Sequence, residues 1–270
     1  MKLDCHVHSD ASLDAYQKFD KILERMEIRK LDGVIVVDHN DMSGADALYA
    51  KVLAKYPSPE HRPVVIRGAE YSTEFGHLIV IGLRTPLEKV LNSEARRFKH
   101  QEVLDAARIQ NAVIIWAHPF RIKHKVPTDL QLSQVDAIEV YNARTAFVRG
   151  NYDANQKAIE AAKRLALPIV AGSDGHLPYE IGNAYLEIDC KPRDFNIHNL
   201  KTYDTTAIGF ATHPMYECIS QMYKAVCQKN IGGLLKNCVK LIYSLGQGFD
   251  KRARLLNGHV MSYKGKNEKN

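Results

Sequence analysis

The sequence predicts an α/β fold built on a parallel sheet, and two observations carry that expectation. Short β-branched apolar runs alternate with amphipathic stretches of helical period. Each apolar run is bounded by Gly, Pro or charged residues, the pattern of strands buried on both faces. The strands fall at Lys2–His8, Gly33–Asp38, Val64–Glu70, Leu78–Leu83, Ala112–Ala117, Ala137–Tyr141 and Pro168–Gly172. Helices are expected at Phe19–Lys30, Ala45–Lys55, Leu87–Gln110 and Asn155–Leu165. Ile22, Met26 and Leu31 recur at helical intervals in the first of these, as do Ile159, Ala162 and Leu165 in the last. The connection from Gly82 to Ala112 has room for more than one helix. Periodicity leaves the sheet open or closed.

Composition limits the class of protein. The chain has 270 residues, 45% hydrophobic and 25% charged, which excludes a disordered, collagen-like or disulfide-built chain. The longest apolar runs, Val34–Val37 and Ala112–Ala117, are far shorter than the roughly 20 residues a membrane helix needs. The start, Met1–His6, lacks a signal-peptide core, and five cysteines without paired spacing suit reduced thiols. A cytoplasmic protein is therefore expected.

Charge divides the chain into a near-neutral body, residues 1–210, and a basic extension, residues 211–270. The extension carries ten Lys or Arg against three acids, while the whole chain is +6. Met215, Ile219, Met222 and Val226, then Leu234, Leu235, Val239 and Ile242, follow helical spacing interrupted at Gly232-Gly233. This predicts two helices whose apolar stripe docks on the body while Lys224, Lys229, Lys236 and Lys240 are solvated. An anionic membrane surface or a nucleic-acid backbone is the sharper alternative, with no specific motif for either. The end, Lys264–Asn270, is expected to fray.

The chemistry is concentrated at strand ends. His6-Val7-His8 closes the first strand with both imidazoles on one face, and Asp38-His39-Asn40 closes the second. Gly68-Ala69-Glu70 ends the third, His77 precedes the fourth, Ala117-His118-Pro119 ends the fifth, and Ser173-Asp174-Gly175-His176 follows the last. One strand-end histidine is usually structural. Parallel strands, however, direct all their C-terminal ends to one side, where α/β enzymes gather their sites. So many buried imidazoles and carboxylates in one place are costly without cations between them. Mixed nitrogen and oxygen donors suit Mn, Zn or Fe. Cys5 points to the face opposite His6 and His8 and is expected in the core.

In order and spacing these elements, with Ser12-Leu13-Asp14 and Ile138-Glu139-Val140-Tyr141-Asn142, resemble the PHP (polymerase and histidinol phosphatase) superfamily of metal-dependent phosphoesterases over about residues 2–190. The resemblance implies a distorted (β/α)7 TIM-like barrel in the body, with the basic helical extension outside it. It implies two or three divalent ions held by nine side chains. His6, His8, Glu70 and Asp174 would hold the first, Asp14, His39 and His176 the second, and a bridging Glu70 with His77 and His118 the third. Glu70, Asp174 and His176 would also be catalytic. Asp10 is read as a solvated loop acid.

The reaction implied is hydrolysis of a phosphomonoester of a small metabolite or nucleotide, with a metal-bridging hydroxide as nucleophile. Arg121 and Arg144, just past ligand-bearing strands, are candidate phosphate contacts because a guanidinium grips two oxygens at once. Lys123, His124 and Lys125 would add positive potential at the rim, and Phe147 and Tyr179 could pack on an organic leaving group. His61, His100, His198, His213 and His259 are read as surface or structural. Alternatives are a phosphodiesterase or exonuclease on nucleic acid, a non-catalytic metal-bound docking module, or a hydrolase of C–N bonds. For a small substrate, removal of residues 211–270 is expected to leave turnover nearly unchanged. The sequence leaves the oligomeric state open.

Overall fold

The computed structural model describes residues 1–122, 124–147, 153–246 and 254–266. Seven strands form the body: β1 (Lys2–Val7), β2 (Gly33–His39), β3 (Val64–Ser72), β4 (His77–Ile81), β5 (Val113–Ala117), β6 (Ala137–Asn142) and β7 (Ile169–Gly172). They neighbour one another in that order. The ring closes where Val7 meets Gly175 in a parallel bridge, with the His8 amide donating to the Gly175 carbonyl at 3.0 Å. Closure needs a residue without a side chain at 172. A Cβ on Gly172 would sit 2.3 Å from that of His6. The result is a nearly closed TIM-like barrel whose strands are almost wholly buried, as the apolar runs require.

The expectation of uniformly parallel strands is corrected at β4, which runs antiparallel to both β3 and β5. Four residues, Thr73 to Gly76, join β3 to β4, too few for a crossover helix. Thr73 and Gly76 exchange backbone hydrogen bonds across this turn, and Gly76 takes φ +138°. The reversal brings the first residue of β4, His77, to the barrel end where parallel strands finish. His77 pairs in register with Ala117, next to His118.

Helices α1 (Phe19–Arg29), α2 (Ser43–Lys55), α3 (His100–Ile109), α4 (Asp129–Leu132) and α5 (Ala154–Leu165) lie between the strands. The long helix expected over Leu87–Gln110 reduces to a 3-10 turn, Leu87–Lys89, then α3. Ala95 and Arg96, both with positive φ, lie between them.

Three further strands were not expected: β8 (Ala184–Ile188), β9 (Thr205–Gly209) and β10 (Gly258–Tyr263). They form an antiparallel flank, β8 pairing with the start of β1 at Lys2 and Leu3. The division at residue 210 therefore coincides with no break in the sheet, since β10 lies beyond it and pairs with β9 along its length. Lys264 to Lys266, expected to fray, are tied down: Lys264 pairs with Asp204 at 2.9 Å and the Gly265 amide donates to the same carboxylate. Residues 267–270, with Lys269, and also Lys251 and Arg252 of the basic count lie outside the described residues.

The extension does form two helices, α6 (Met215–Cys227) and α7 (Ile231–Leu245), packed on each other. The break falls at Asn230, whose side chain caps α7 by accepting from the Gly233 amide; the two glycines lie inside the first turn. The expectation that the α7 stripe docks on the body fails. Ile231, Leu235, Val239 and Ile242 remain more than 60% exposed. No helix among the described residues is long and apolar enough to cross a membrane.

Candidate metal centre

All nine expected ligands converge at the barrel end where the parallel strands finish. His6 and His8, two residues apart on β1, bring their Nε2 atoms to 3.1 Å. Asp174 Oδ1 lies 3.7 Å from His6 Nε2 and 3.3 Å from His8 Nε2. Glu70 stands among the imidazoles. Its Oε1 is 2.8 Å from His77 Nδ1 and 3.0 Å from His118 Nε2, and its Oε2 is 2.8 Å from His39 Nδ1. Asp14 Oδ1 lies 3.7 Å from His176 Nε2 and 3.9 Å from His39 Nε2.

The fold aims these groups. Asn40, His118 and Asp174, at the ends of β2, β5 and β7, adopt left-handed backbone conformations that turn the chain sharply out of its strand. Asp38 accepts from the Ser9 amide and from both the Ser9 and Ser12 hydroxyls, which pins the loop carrying Asp14. Asp10 is exposed and Cys5 buried, as expected.

The supporting shell leaves ligand atoms unused. His6 Nδ1 faces Glu139 Oε1 at 3.0 Å, and His176 Nδ1 donates to the Asp174 carbonyl at 2.9 Å. A histidine whose one nitrogen is held this way presents the other to a metal. Glu139 also accepts from the His118 amide and from Asn142. Several buried atoms at the centre have no hydrogen-bond partner: Asp14 Oδ1, Glu70 Oε2, His39 Nδ1 and His118 Nδ1. The Glu70 and His39 atoms among these face each other without hydrogen-bonding geometry. Buried orphans of this kind fit cation ligands rather than a satisfied polar core.

Charge is strongly coupled here. Burial opposes ionisation of Glu70, but His77, His39 and His6 outweigh it and hold the carboxyl well below the usual range. Asp174 is likewise held low against burial by His6, His8 and His176. His6 is raised despite burial, by Glu139, Glu70 and Asp174. Burial takes His77 down to about 4 in spite of Glu70.

Sequence reasoning missed three contributors. His124, expected at the rim, folds inward to form a cluster of ligand nitrogens with His77 and His118. Its Nδ1 is buried without a partner, and burial followed by His118, His77 and Arg121 lowers its pKa to about 2. Glu139 orients His6 as described. The third is Lys224 of α6, expected in solvent, whose Nζ donates to Asp14 Oδ2 at 2.9 Å. Its approach, against burial and with His176 and His39, helps to hold Asp14 well below the usual carboxylate range.

The two arginines diverge. Arg121 faces the centre, 3.8 Å from Asp174 and 3.7 Å from Glu217 of α6. Arg144 also lines the cavity, but its guanidinium is already engaged. Nε and Nη2 donate to the two oxygens of buried Glu180 at 2.7 and 3.0 Å, and Nη2 also donates to Ser220. The expectation of a phosphate contact at Arg144 is thus corrected: a buried carboxylate occupies the fork. Glu180 in turn accepts from the His176 and Leu177 amides, so the pair braces the ligand loop.

Phe147 is buried against His213, Tyr179 stacks on Arg25, and Lys125 lies over Phe75; Lys123 lies outside the described residues. The cavity over the centre measures about 720 Å³ and takes its walls from the ligands, from the loop around Arg96 and Arg97, and from α6. That volume suits a small organic ligand.

Comparison with known proteins agrees with this geometry. Residues 4–121 match the PHP domain model, and residues 153–196 match the PHP-associated model. Uncharacterized protein MJ0417 of Methanocaldococcus jannaschii is 28% identical over 220 residues, covering 75% of this chain and 81% of that protein. Two solved structures share the fold. One is PsfC from Pseudomonas syringae PB-5123, with TM-score 0.56, 19% identity, and coverage of 84% of this chain and 98% of that one. The other is a two-domain protein from Bacteroides vulgatus ATCC 8482 described as containing a predicted PHP-like metal-dependent phosphoesterase. Its TM-score is 0.59 at 16% identity, with coverage of 88% and 70%. The ligand pattern at the barrel mouth and the two matched segments lead to one conclusion: residues 4–121 match a PHP domain, and residues 153–196 match the segment associated with it.

Proposed function

We propose that this protein is a metal-dependent phosphoesterase that hydrolyses a phosphomonoester of a small metabolite or nucleotide. The observation that carries the reading is the set of buried, unpartnered ligand atoms on Asp14, Glu70, His39 and His118 beneath a cavity that also presents Arg121. Two or three divalent ions of the Mn, Zn or Fe type suit this donor set: His6, His8, Glu70 and Asp174 for one, Asp14, His39 and His176 for another, and Glu70, His77 and His118 for a third. Such ions supply Lewis-acid activation of water and of the phosphoryl group.

The chain's own groups do the rest. Asn142 holds the Asp174 carboxylate from behind, the Asp174 carbonyl and Glu180 hold His176, and Glu70 is set by its place on β3 in register with His39. Arg121, held among the described residues at ion-pair range by Asp174 and Glu217, can donate to non-bridging phosphoryl oxygens. Phe98 and the loop at Arg96 and Arg97 border the space left for the organic part of the substrate. The near-neutral charge of the body favours a small substrate over a polynucleotide.

A screen of phosphomonoesters and diesters on protein reconstituted with Mn or Zn, with elemental analysis, tests the reading. Monoester hydrolysis should dominate. Arg121→Ala should lower kcat/KM at least about tenfold at unchanged metal content. Cleavage of polynucleotides with no monoester hydrolysis would replace the proposal with the nuclease alternative.

A further inference from the structure

Helix α6 lies outside both family-matched segments, yet one of its faces is turned onto the metal centre. Glu217, Ser220, Gln221 and Lys224 share a stripe by their i, i+3, i+4, i+7 spacing. Each meets a polar group of the centre. Glu217 approaches Arg121 at 3.7 Å, and Ser220 accepts from Arg144 at 3.0 Å. Gln221 and Lys224 donate to Asp14 Oδ2 at 3.5 and 2.9 Å. A helix docked by a row of polar contacts onto a charged cavity is placed there by the cavity's chemistry.

We propose that Lys224 is a substrate-anchoring residue, which together with Arg121 grips the anionic oxygens of the phosphoester; the inference rests on the phosphoesterase reading and extends it. Lys224 and the candidate ligands use different oxygens of one carboxylate. Oδ2 of Asp14 takes the ammonium, while Oδ1 has no hydrogen-bond partner and faces His39 and His176. An anion drawn to a cation held by Asp14, His39 and His176 would therefore arrive beside Nζ. An ammonium has three donors, and among the described residues Asp14 is the recorded partner of Lys224. The side chain is one-third exposed beside an almost wholly buried Asp14, and it lines the cavity. Its remaining donors thus face the space a ligand would occupy. Arg121 reaches the same cavity from the segment after β5, so two cations from distant parts of the chain frame it. With α6 as one wall, the site is shaped for a compact phosphoester.

The test uses the full-length protein reconstituted with Mn, compared as wild type, Lys224→Ala, Lys224→Gln and Lys224→Arg, with exposed Lys240→Ala on α7 as control. Three quantities are read: metal per chain, binding of inorganic phosphate by calorimetry, and KM and kcat for the best phosphomonoester. Lys224→Ala and Lys224→Gln should keep full metal content and bind phosphate at least about tenfold more weakly. KM should rise correspondingly while kcat moves by less than about threefold, and Lys224→Arg should recover part of the loss. Unchanged phosphate affinity at full metal content would overturn the proposal. So would loss of metal in the neutral variants, which would make Lys224 a positioning residue for Asp14. Gln keeps the reach of the side chain without its charge, so the comparison stands if the Ala variant fails to fold. A wild type that hydrolyses no phosphoester would defeat the functional reading, while the phosphate-binding comparison would still decide the role of Lys224.

Discussion

The cavity has two kinds of wall, and they are held in place by different forces. On one side the ligands stand at the ends of strands joined by a continuous backbone ladder around the barrel. On the other, α6 is kept against the site by a short row of side-chain contacts, to Arg121, Arg144 and Asp14, and by its packing on α7. A strand-end ligand can be removed without moving its neighbours, since the ladder remains. A helix seated by polar contacts depends on the groups it touches. On the proposed reading, the barrel wall would fix what chemistry is available, and the helical wall would adjust which substrate reaches it.

The largest effect expected is on the barrel wall. Glu70 makes close contacts to His77, His118 and His39 at once, so Glu70→Ala should lose more than one ion per chain and abolish turnover, with the fold intact by circular dichroism. Retention of full metal content would mean that the strand-end ligands form independent sites. Arg144 sharpens the comparison because it spans both walls, holding Glu180 after β7 and Ser220 on α6. Arg144→Ala leaves Glu180 buried without its partner and should cost about 3–5 kcal/mol of stability, seen as a lower denaturation midpoint. Arg121→Ala should change kinetics with little change in that midpoint. A second substitution, Glu180→Gln, should return part of what Arg144→Ala loses, because the uncompensated charge is gone. The smallest effect expected is at His124. His124→Ala should weaken binding of one ion by about tenfold to a hundredfold and leave stability of the metal-free protein nearly unchanged, as metal titration would show. Identical titrations for the variant and the wild type would exclude His124 from the centre.

The barrel wall was legible in the sequence and the helical wall was not, for a physical reason. His6-Val7-His8, Asp38-His39 and Ala117-His118 each sit where an apolar run stops, and parallel strands must finish on one side, so direction and destination follow together. All seven barrel strands lie within about two residues of their expected bounds. What escaped was the direction of β4, although the short connection before His77 already precludes a crossover. The flanking strands escaped because β8 and β9 alternate buried and half-buried residues over only five positions, a weak signal beside the buried runs. Periodicity in α6 shows which residues share a face. It says nothing of what that face meets, so Lys224 read as a solvated lysine. Arg144 shows the same limit: its partner Glu180 is 36 residues away, and nothing local distinguishes a guanidinium bound to carboxylate from one awaiting phosphate.

The reversal of β4 also sets the order in which the centre can assemble. Glu70 and His77 are seven residues apart, across a tight hairpin, and come together by a very short loop closure. The junction of β1 with β7, where the Ser173 amide donates to Asp4, joins residues 169 apart, and it brings His6 and His8 to Asp174. Closure over such a span carries a far larger entropic cost and belongs to the late stages of folding. Two of the nine candidate ligands, Glu70 and His77, thus meet locally in the chain, while His6 and His8 meet Asp174 once the two ends of the barrel have come together. A fully loaded centre would consequently be a readout of a completed fold, because an unclosed barrel lacks the meeting of His6 and His8 with Asp174.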